Sequence, residues 1–447
     1  MIHYIFGISV IVCCMLALSN WRTGILLTIP TDALRDPVRK LTSGEPVWIT
    51  HIGLLLWACV IIGSLSQDRG LRKRLQATFP RLRTAVIFTF AAVIPAAFLS
   101  LMLYRNGWIL VLIGGTSYLA PLAGIFLGIK YAKKNQDLRR YLAAYALVNS
   151  IMFLGNIAEF AGLGWPALGG LSGFVWVRQQ TGVWVDMVSG FYRSPDIAGF
   201  HAATVAIFTV VLALPKHKRG SPIVPWLLLT VFSMFVLFLT GRRKTIGMPF
   251  AWLAGWLLLS SLRDRGSAKR AFAVVLMAGM AVSVGAWFLV SGDERLTDHG
   301  VYVASTANDI LPKLYKETIS GSWTTIQQSG VLGSGLGVAT QGAHYVREKN
   351  LKAWQEDGTS RLFKELGVIG TALIILALLL FAIELRRAYR IPIYDQTRKT
   401  LQDASLAFVI ANLGCFVASH QIYSGDPMTA LLPLVFLGSV YGHSLAN

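Results

Sequence analysis

Charge is what this chain has least of. Only 14% of its 447 residues are Asp, Glu, Lys or Arg, while 54% are apolar. A water-soluble surface needs roughly 25–35% charged residues, so the shortage excludes the two or three soluble domains that the length would otherwise accommodate. Acidic residues are the scarcer kind: 22 Asp and Glu stand against 41 Lys and Arg, a formal charge of +19. That excess does not mark a nucleic-acid binder. It is dealt out in short clusters between apolar runs, the pattern of cytoplasmic loops beside anionic lipid. Cysteine is nearly absent. Cys13, Cys14, Cys59 and Cys415 all sit inside apolar runs and none forms a CxxC pair, which excludes a zinc knuckle and a disulfide framework and leaves them as small core residues. The run Met1–Ser19 has neither a basic leader nor an A-x-A-like cleavage site and is read as a retained span. No internal repeat of 20–50 residues is visible.

What is present in abundance is apolar sequence in membrane-length pieces, with 13 Trp and 23 Phe among them and a mean hydropathy of +0.56. Runs of about 17–25 residues fall at 2–19, 47–65, 84–104, 107–130, 141–163, 197–214, 223–240, 246–262, 271–290, 367–385, 404–420 and 428–445. The expected fold class is an all-α polytopic membrane protein of about twelve helices, because lipid cannot satisfy a free backbone group. Alternate compact loops at 69–83, 130–140, 216–219, 263–270 and 386–399 hold 23 of the 41 Lys and Arg. By the positive-inside rule those loops face the cytoplasm, and both termini lie with them. The first loop, 21–46, opposes this pattern: it falls on the outer side yet carries Arg35, Arg39 and Lys40. Three regions follow: helices one to nine over 1–290, a large outer loop over 291–366 with helix-like pieces at 308–328 and 343–355, and helices ten to twelve over 367–447.

The informative residues are cations on the translocated side. Arg242, Arg243 and Lys244 form a tight turn between two spans, in LTGRRKT. Arg193 directly precedes Ser194-Pro195-Asp196, a helix start with Ser194 as N-cap and Pro195 at N1. Free N–H groups there, together with the guanidinium, suit an anion. The competing reading is an interfacial anchor whose head snorkels to lipid phosphates. The topology rule disfavours a triple-cation turn outside, so a functional reason is sought. A lipid-linked diphosphate supplies one: guanidinium forks match phosphate oxygens, and arginine can neutralise a departing diphosphate.

A second constellation lies in the large loop: Gly333-Ser334-Gly335-Leu336-Gly337, then His344, then Glu356-Asp357 and Arg361-Leu362-Phe363-Lys364-Glu365-Leu366-Gly367. The glycines follow no strand and open no βαβ unit, so they read as tight turns and not as a nucleotide site. His344 is a candidate general base, with Glu356 and Asp357 as rivals. Arg361 and Glu365 share one helix face at i and i+4. The pair reads either as a simple helix-end ion pair or as part of the site, Arg361 toward the diphosphate and Glu365 toward catalysis. His201 and His420 lie near the same side and read more readily as hydrogen-bonded core.

At these residues the chain resembles the O-antigen polymerase and O-antigen ligase superfamily of bacterial inner-membrane glycan enzymes. The likeness rests on the Arg193 helix start, the LTGRRKT turn, the late large loop and its GxGxG…ELGxxG ending, over roughly 190–385. The resemblance implies a GT-C-like helical fold and an undecaprenyl-diphosphate-linked oligosaccharide as donor. It also implies cofactor-free, metal-independent glycan transfer outside the membrane, with a chain-length regulator or a flippase as protein partner. Carried over residue by residue, Arg193 and Arg242 or Arg243 would bind the diphosphate. The chain departs from the family where a His-Asn pair usually precedes ELG, because Glu356-Asp357 stands there instead.

The rival class is a twelve-helix secondary transporter, to which Asp68-Arg69-Gly70 bears a superficial likeness. No second copy of that loop and no repeat symmetry accompany it. The expected function is therefore transfer of lipid-diphosphate-linked repeat units, with the acceptor, another repeat (polymerase) or a lipid or protein (ligase), left open.

Overall fold

The computed structural model describes residues 1–65, 70–171, 176–180, 183–214, 223–263, 295–302, 316–346 and 357–445. Its helices are α1 (Ile2–Ser19), α2 (Trp21–Lys40), α3 (Trp48–His51), α4 (Gly53–Leu65), α5 (Leu71–Thr78), α6 (Arg81–Leu103), α7 (Gly107–Leu119), α8 (Leu122–Tyr131), α9 (Asn135–Met152), α10 (Leu154–Phe160), α11 (Pro195–Ala213), α12 (Ile223–Leu239), α13 (Arg243–Arg263), α14 (Gly321–Ser329), α15 (Gly358–Arg390), α16 (Gln396–Ala418), α17 (Gln421–Gly425) and α18 (Pro427–Leu445). Ten helical segments among the described residues are long and apolar enough to cross a membrane, and α12 is a shorter apolar helix. This is a helical, multi-pass membrane protein. The expected span at 271–290 lies outside the described residues.

Two local outcomes differ from the sequence reading. Residues 176–187, inside a long expected loop, carry an antiparallel hairpin of β1 (Trp176–Gln180) and β2 (Val183–Met187), with Trp176 opposite Met187. In β2, Trp184 and Asp186 are exposed while Val185 and Met187 are buried, the two-residue period of a strand with one covered face. The expected loop 21–46 is mostly the helix α2, begun by Asn20, whose side chain accepts from Arg22 N at 3.2 Å and Thr23 N at 3.3 Å. Its charges and two internal prolines hid it from a hydropathy scan.

The described residues form two compact units, each built from two separated stretches: Met1–Ser64 with Lys134–Ile310, and Leu65–Lys133 with Leu311–Asn447. Compactness therefore cuts across the sequence divisions at 290 and 366. In the first unit α11 is the buried centre, and every residue of it except Asp196 is shielded. A helix apolar on all sides is what such a position takes. Ser194, extended at φ −156°, accepts from Ile197 N at 3.5 Å, and Pro195 opens the helix, as the Ser-Pro-Asp pattern predicts.

In the second unit α8 and α18 approach closely through Gly124, Gly128, Gly438 and Gly442, where an added Cβ would meet the partner's backbone. Small residues at four-residue spacing permit that approach where lipid offers no hydrophobic drive. Helix α15 is broken at Gly367, with φ 68° and ψ −171°. The Gly-rich loop inserts at the break. Ser334 N donates to the carbonyl of Lys364 at 2.7 Å, and Val368 N to the carbonyl of Val331 at 2.8 Å. The groups that a continuous helix would pair internally are thus paired with the loop.

Replacing Gly367 with Ala forces a side chain into a left-handed conformation hard against the Val331 carbonyl. We expect a loss of about 1–3 kcal/mol, read as a lower thermal midpoint of the detergent-purified protein; an unchanged midpoint would refute the loop-into-helix account.

Candidate functional site

In the first unit the loop before α11 gathers a charged network. Arg193, 9% exposed, lies against Asp36 of α2, 1% exposed. Asp36 accepts from Arg193 N at 3.1 Å and from its Nη1 at 3.3 Å. Arg242 Nη2 pairs with Asp196 Oδ2 at 3.0 Å, tying the α12–α13 turn to the first turn of α11. That turn is made by Thr240, Gly241 (φ 61°) and Arg242; Arg243 and Lys244 already belong to α13, a tighter corner than the sequence implied. Arg243 lies over the ring of Tyr302 at 3.8 Å.

Helix α2 adds the rest. Lys40 Nζ donates to the carbonyls of Tyr192 at 2.7 Å, Gly190 at 2.9 Å and Ala167 at 3.3 Å. Glu159, at the end of α10, accepts from the amides of Ser189 and Gly190. Arg39 donates to the Glu45 carbonyl at 2.9 Å and Thr50 Oγ1 at 3.0 Å. Among the described residues of this network, seven cations (Arg35, Arg39, Lys40, Arg193, Arg242, Arg243, Lys244) outnumber five carboxylates (Asp32, Asp36, Glu45, Glu159, Asp196), and the amino end of α11 adds its partial positive charge. The arrangement favours an anion.

Beneath it lies an aromatic floor. His201 is buried, takes a 2.7 Å hydrogen bond with Tyr145 Oη at Nδ1, and stacks on Tyr192 at 4.9 Å. Tyr192 Oη donates to Asn149 at 2.8 Å. Burial, with Asp36 adding to it, pushes the Tyr192 phenol well above its ordinary value, so it stays a donor. His201 is a core histidine, as is His420, whose Nδ1 lies 3.1 Å from Ser424 Oγ.

The second unit holds the loop constellation. Arg361 and Glu365 do pair, Nε to Oε2 at 3.3 Å, at 2% and 0% exposure. Glu365 also accepts from Ala339 N and Thr340 Oγ1, each at 2.9 Å. Arg361 donates to Ser117 at 2.8 Å and Thr340 at 3.0 Å, and lies 4.5 Å over the ring of Tyr118. Both side chains lock the Gly-rich loop to α15. Gly333, Gly335 and Gly337 have φ of 78°, 102° and 85°, so the run is a string of turns. It is anchored by Leu336 N on the Ala96 carbonyl at 2.9 Å and by Ser100 Oγ on the Leu336 carbonyl at 2.8 Å. Asp357 caps α15, accepting from Ser360 N at 2.7 Å and Thr359 Oγ1 at 2.6 Å. His344 falls in the 3-10 turn Ala343–Val346, its side chain outside the described residues, as is Glu356.

The structure thus joins Arg193, Arg242 and Arg243 into one unit and Asp357, Arg361 and Glu365 into the other. Sequence reasoning missed Asp36, Lys40 and Glu159. The signal was present in Asp32-Ala33-Leu34-Arg35-Asp36-Pro37-Val38-Arg39-Lys40, whose charges recur at three and four residues, but low hydropathy made that stretch read as loop. Among the described residues no group of three or more His, Cys, Asp and Glu is placed to hold a metal ion. No family model and no curated protein matches the chain.

Arg361→Met and Glu365→Gln should each cost about 3–5 kcal/mol, because either leaves a buried polar partner uncompensated. The double substitution should cost less than the sum of the two. Thermal unfolding in detergent measures both, and additive losses would show that the two side chains act separately.

Proposed function

We propose that this protein is a membrane glycosyltransferase that moves lipid-diphosphate-linked glycan repeat units on the outer face of the bacterial inner membrane, as an O-antigen-type polymerase of GT-C-like fold. The observation that carries the reading is the cationic network at the amino end of α11: Arg193 and Arg242, mostly buried and each oriented by a carboxylate, with Arg243 and Lys244 beside them. Guanidinium groups held in a dry setting bind phosphate far more strongly than they would in water. The prenyl tail of such a donor lies among helices, and its diphosphate reaches a membrane-end cluster of this kind. In this orientation the basic compact loops and the carboxyl terminus are cytoplasmic.

In the reaction a base takes the proton of the acceptor sugar hydroxyl, whose oxygen attacks the anomeric carbon. The bond from that carbon to the diphosphate oxygen breaks, and the lipid diphosphate leaves with the electron pair. Arg193, Arg242, Arg243 and Lys244 stabilise the charge developing on it. Arg361 is held by Glu365, Ser117 and Thr340 and is retained as a further candidate for the diphosphate. Asp357 and Glu365 are similarly engaged by backbone amides. His344 is taken as the base, with Glu356 and Asp357 as its rivals. The donor is the principal partner, and a flippase or chain-length regulator would work beside it.

Deleting the gene and analysing lipid-linked glycans tests the reading. Accumulation of single repeats supports the polymerase, and long unattached chains would assign a ligase. Unaltered glycans with changed solute uptake would refute glycosyl transfer. Arg193→Glu or Arg243→Glu should abolish polymer at normal membrane protein level, and His344→Ala should lower turnover by about 10²–10⁴-fold. Full activity of His344→Ala would pass the base role to Glu356 or Asp357.

A further inference from the structure

Helix α2 carries five ionisable side chains in its last nine residues, Asp32, Arg35, Asp36, Arg39 and Lys40, all at most 8% exposed. Its ends show where it runs. At one end Arg22 pairs with Asp137, in the first turn of α9. At the other, Lys40 bonds the carbonyls of Gly190 and Tyr192, whose neighbouring amides are held by Glu159 at the end of α10. Helices α9 and α10 together make the membrane-length segment Asn135–Phe160, so α2 lies beside it from end to end. Twenty residues of helix rise about 30 Å, the thickness of a bilayer's hydrocarbon.

Its other neighbours agree. Gly24 packs against Ala17 and Val60, whereas Val38 clusters with Phe6, Val10 and Ile49, so α1 runs antiparallel to α2. Gly53 and Trp57, early in α4, meet Asp32, while Gly63, late in α4, meets Ala17 and Leu18; α4 is antiparallel to α2 as well. The charges are tolerable because each is satisfied within the protein. Arg35 Nη1 donates to Asp32 at 3.0 Å and to the Thr50 carbonyl at 3.3 Å, Trp57 Nε1 donates to Asp32 at 3.3 Å, and Asp36 takes both the amide and the guanidinium of Arg193. Ionisable residues inside a membrane segment are expensive and mark function.

We infer that α2 crosses the membrane as a charged helix and that its Asp36 is a positioning residue, holding the Arg193 guanidinium and backbone in place for a prenyl diphosphate. The crossing stands on geometry alone, whereas the role of Asp36 rests on the proposed diphosphate site. A crossing α2 places the start of α1 on the same side as Arg193, in place of the cytoplasmic amino terminus expected from the sequence. It also removes the anomaly of the first loop, because Arg35, Arg39 and Lys40 are internal partners of the network and not loop charges read by the positive-inside rule.

Single cysteines at His3, Ser19 and Ser43, introduced into a full-length chain with Cys13, Cys14, Cys59 and Cys415 replaced, test the crossing with a membrane-impermeant maleimide. His3→Cys and Ser43→Cys should label from the same side and Ser19→Cys from the other, whatever the absolute orientation. Opposite labelling of positions 3 and 43 would overturn the crossing.

The positioning role is read from binding of farnesyl diphosphate to the detergent-purified protein. Asp36→Asn should weaken it about tenfold, Asp36→Glu less, and Asp36→Asn combined with Arg193→Gln should bind no more weakly than Arg193→Gln alone. Multiplying losses would show that Asp36 does not act through Arg193. If Asp36→Asn fails to fold, Asp36→Glu carries the test, and wild-type affinity in that variant would overturn the role. Absence of binding by the wild-type chain would sink the diphosphate reading and the role of Asp36 with it, leaving the labelling result to stand.

Discussion

The contact between Asp36 and Arg193 is the interaction on which the first unit turns. A guanidinium taken out of water among apolar helices is costly unless a carboxylate meets it and its remaining protons find acceptors. Asp36 meets both the side chain and the backbone amide of Arg193, so one carboxylate sets the position of a cation and the entry of the chain into α11. The neighbouring Arg242–Asp196 pair repeats the device in the first turn of that helix. Together they fix two arginines at a helix amino end, beside its partial positive charge.

The second unit solves a different problem by the same rule. A glycine-rich segment has no side chains with which to pack, so it is held through its backbone: Leu336 N on Ala96, Ser334 N on the Lys364 carbonyl, Ala339 N on Glu365. The break in α15 at Gly367 supplies an acceptor and a donor that an unbroken helix would have consumed. Arg361 and Glu365 then act as a clamp across loop and helix.

Several features are legible in the sequence. Apolar run length located the spans, because hydrocarbon thickness sets helix length. The Ser194-Pro195 start and the turning role of Gly333, Gly335 and Gly337 follow from local backbone chemistry. Less was legible where charge and burial coincide. Asp32-Arg35-Asp36-Arg39-Lys40 reads as a solvated loop on any hydropathy scale, since such scales count a charge as exposed and cannot see the partner that makes its burial affordable.

The sequence by itself determined the class of protein and the location of its apolar helices, and it singled out Arg193 and the 242–244 cations as misplaced charges. These are local properties, set by composition and by spacing along the chain. Only the tertiary structure decided which carboxylate faces each arginine, that Arg361 and Glu365 bond the Gly-rich loop, and that α2 lies buried beside α9. The first and last of these depend on groups distant in the chain, such as Asp36 and Arg193, being brought within hydrogen-bond distance, and no periodicity within a helix encodes which distant partner will satisfy a buried charge.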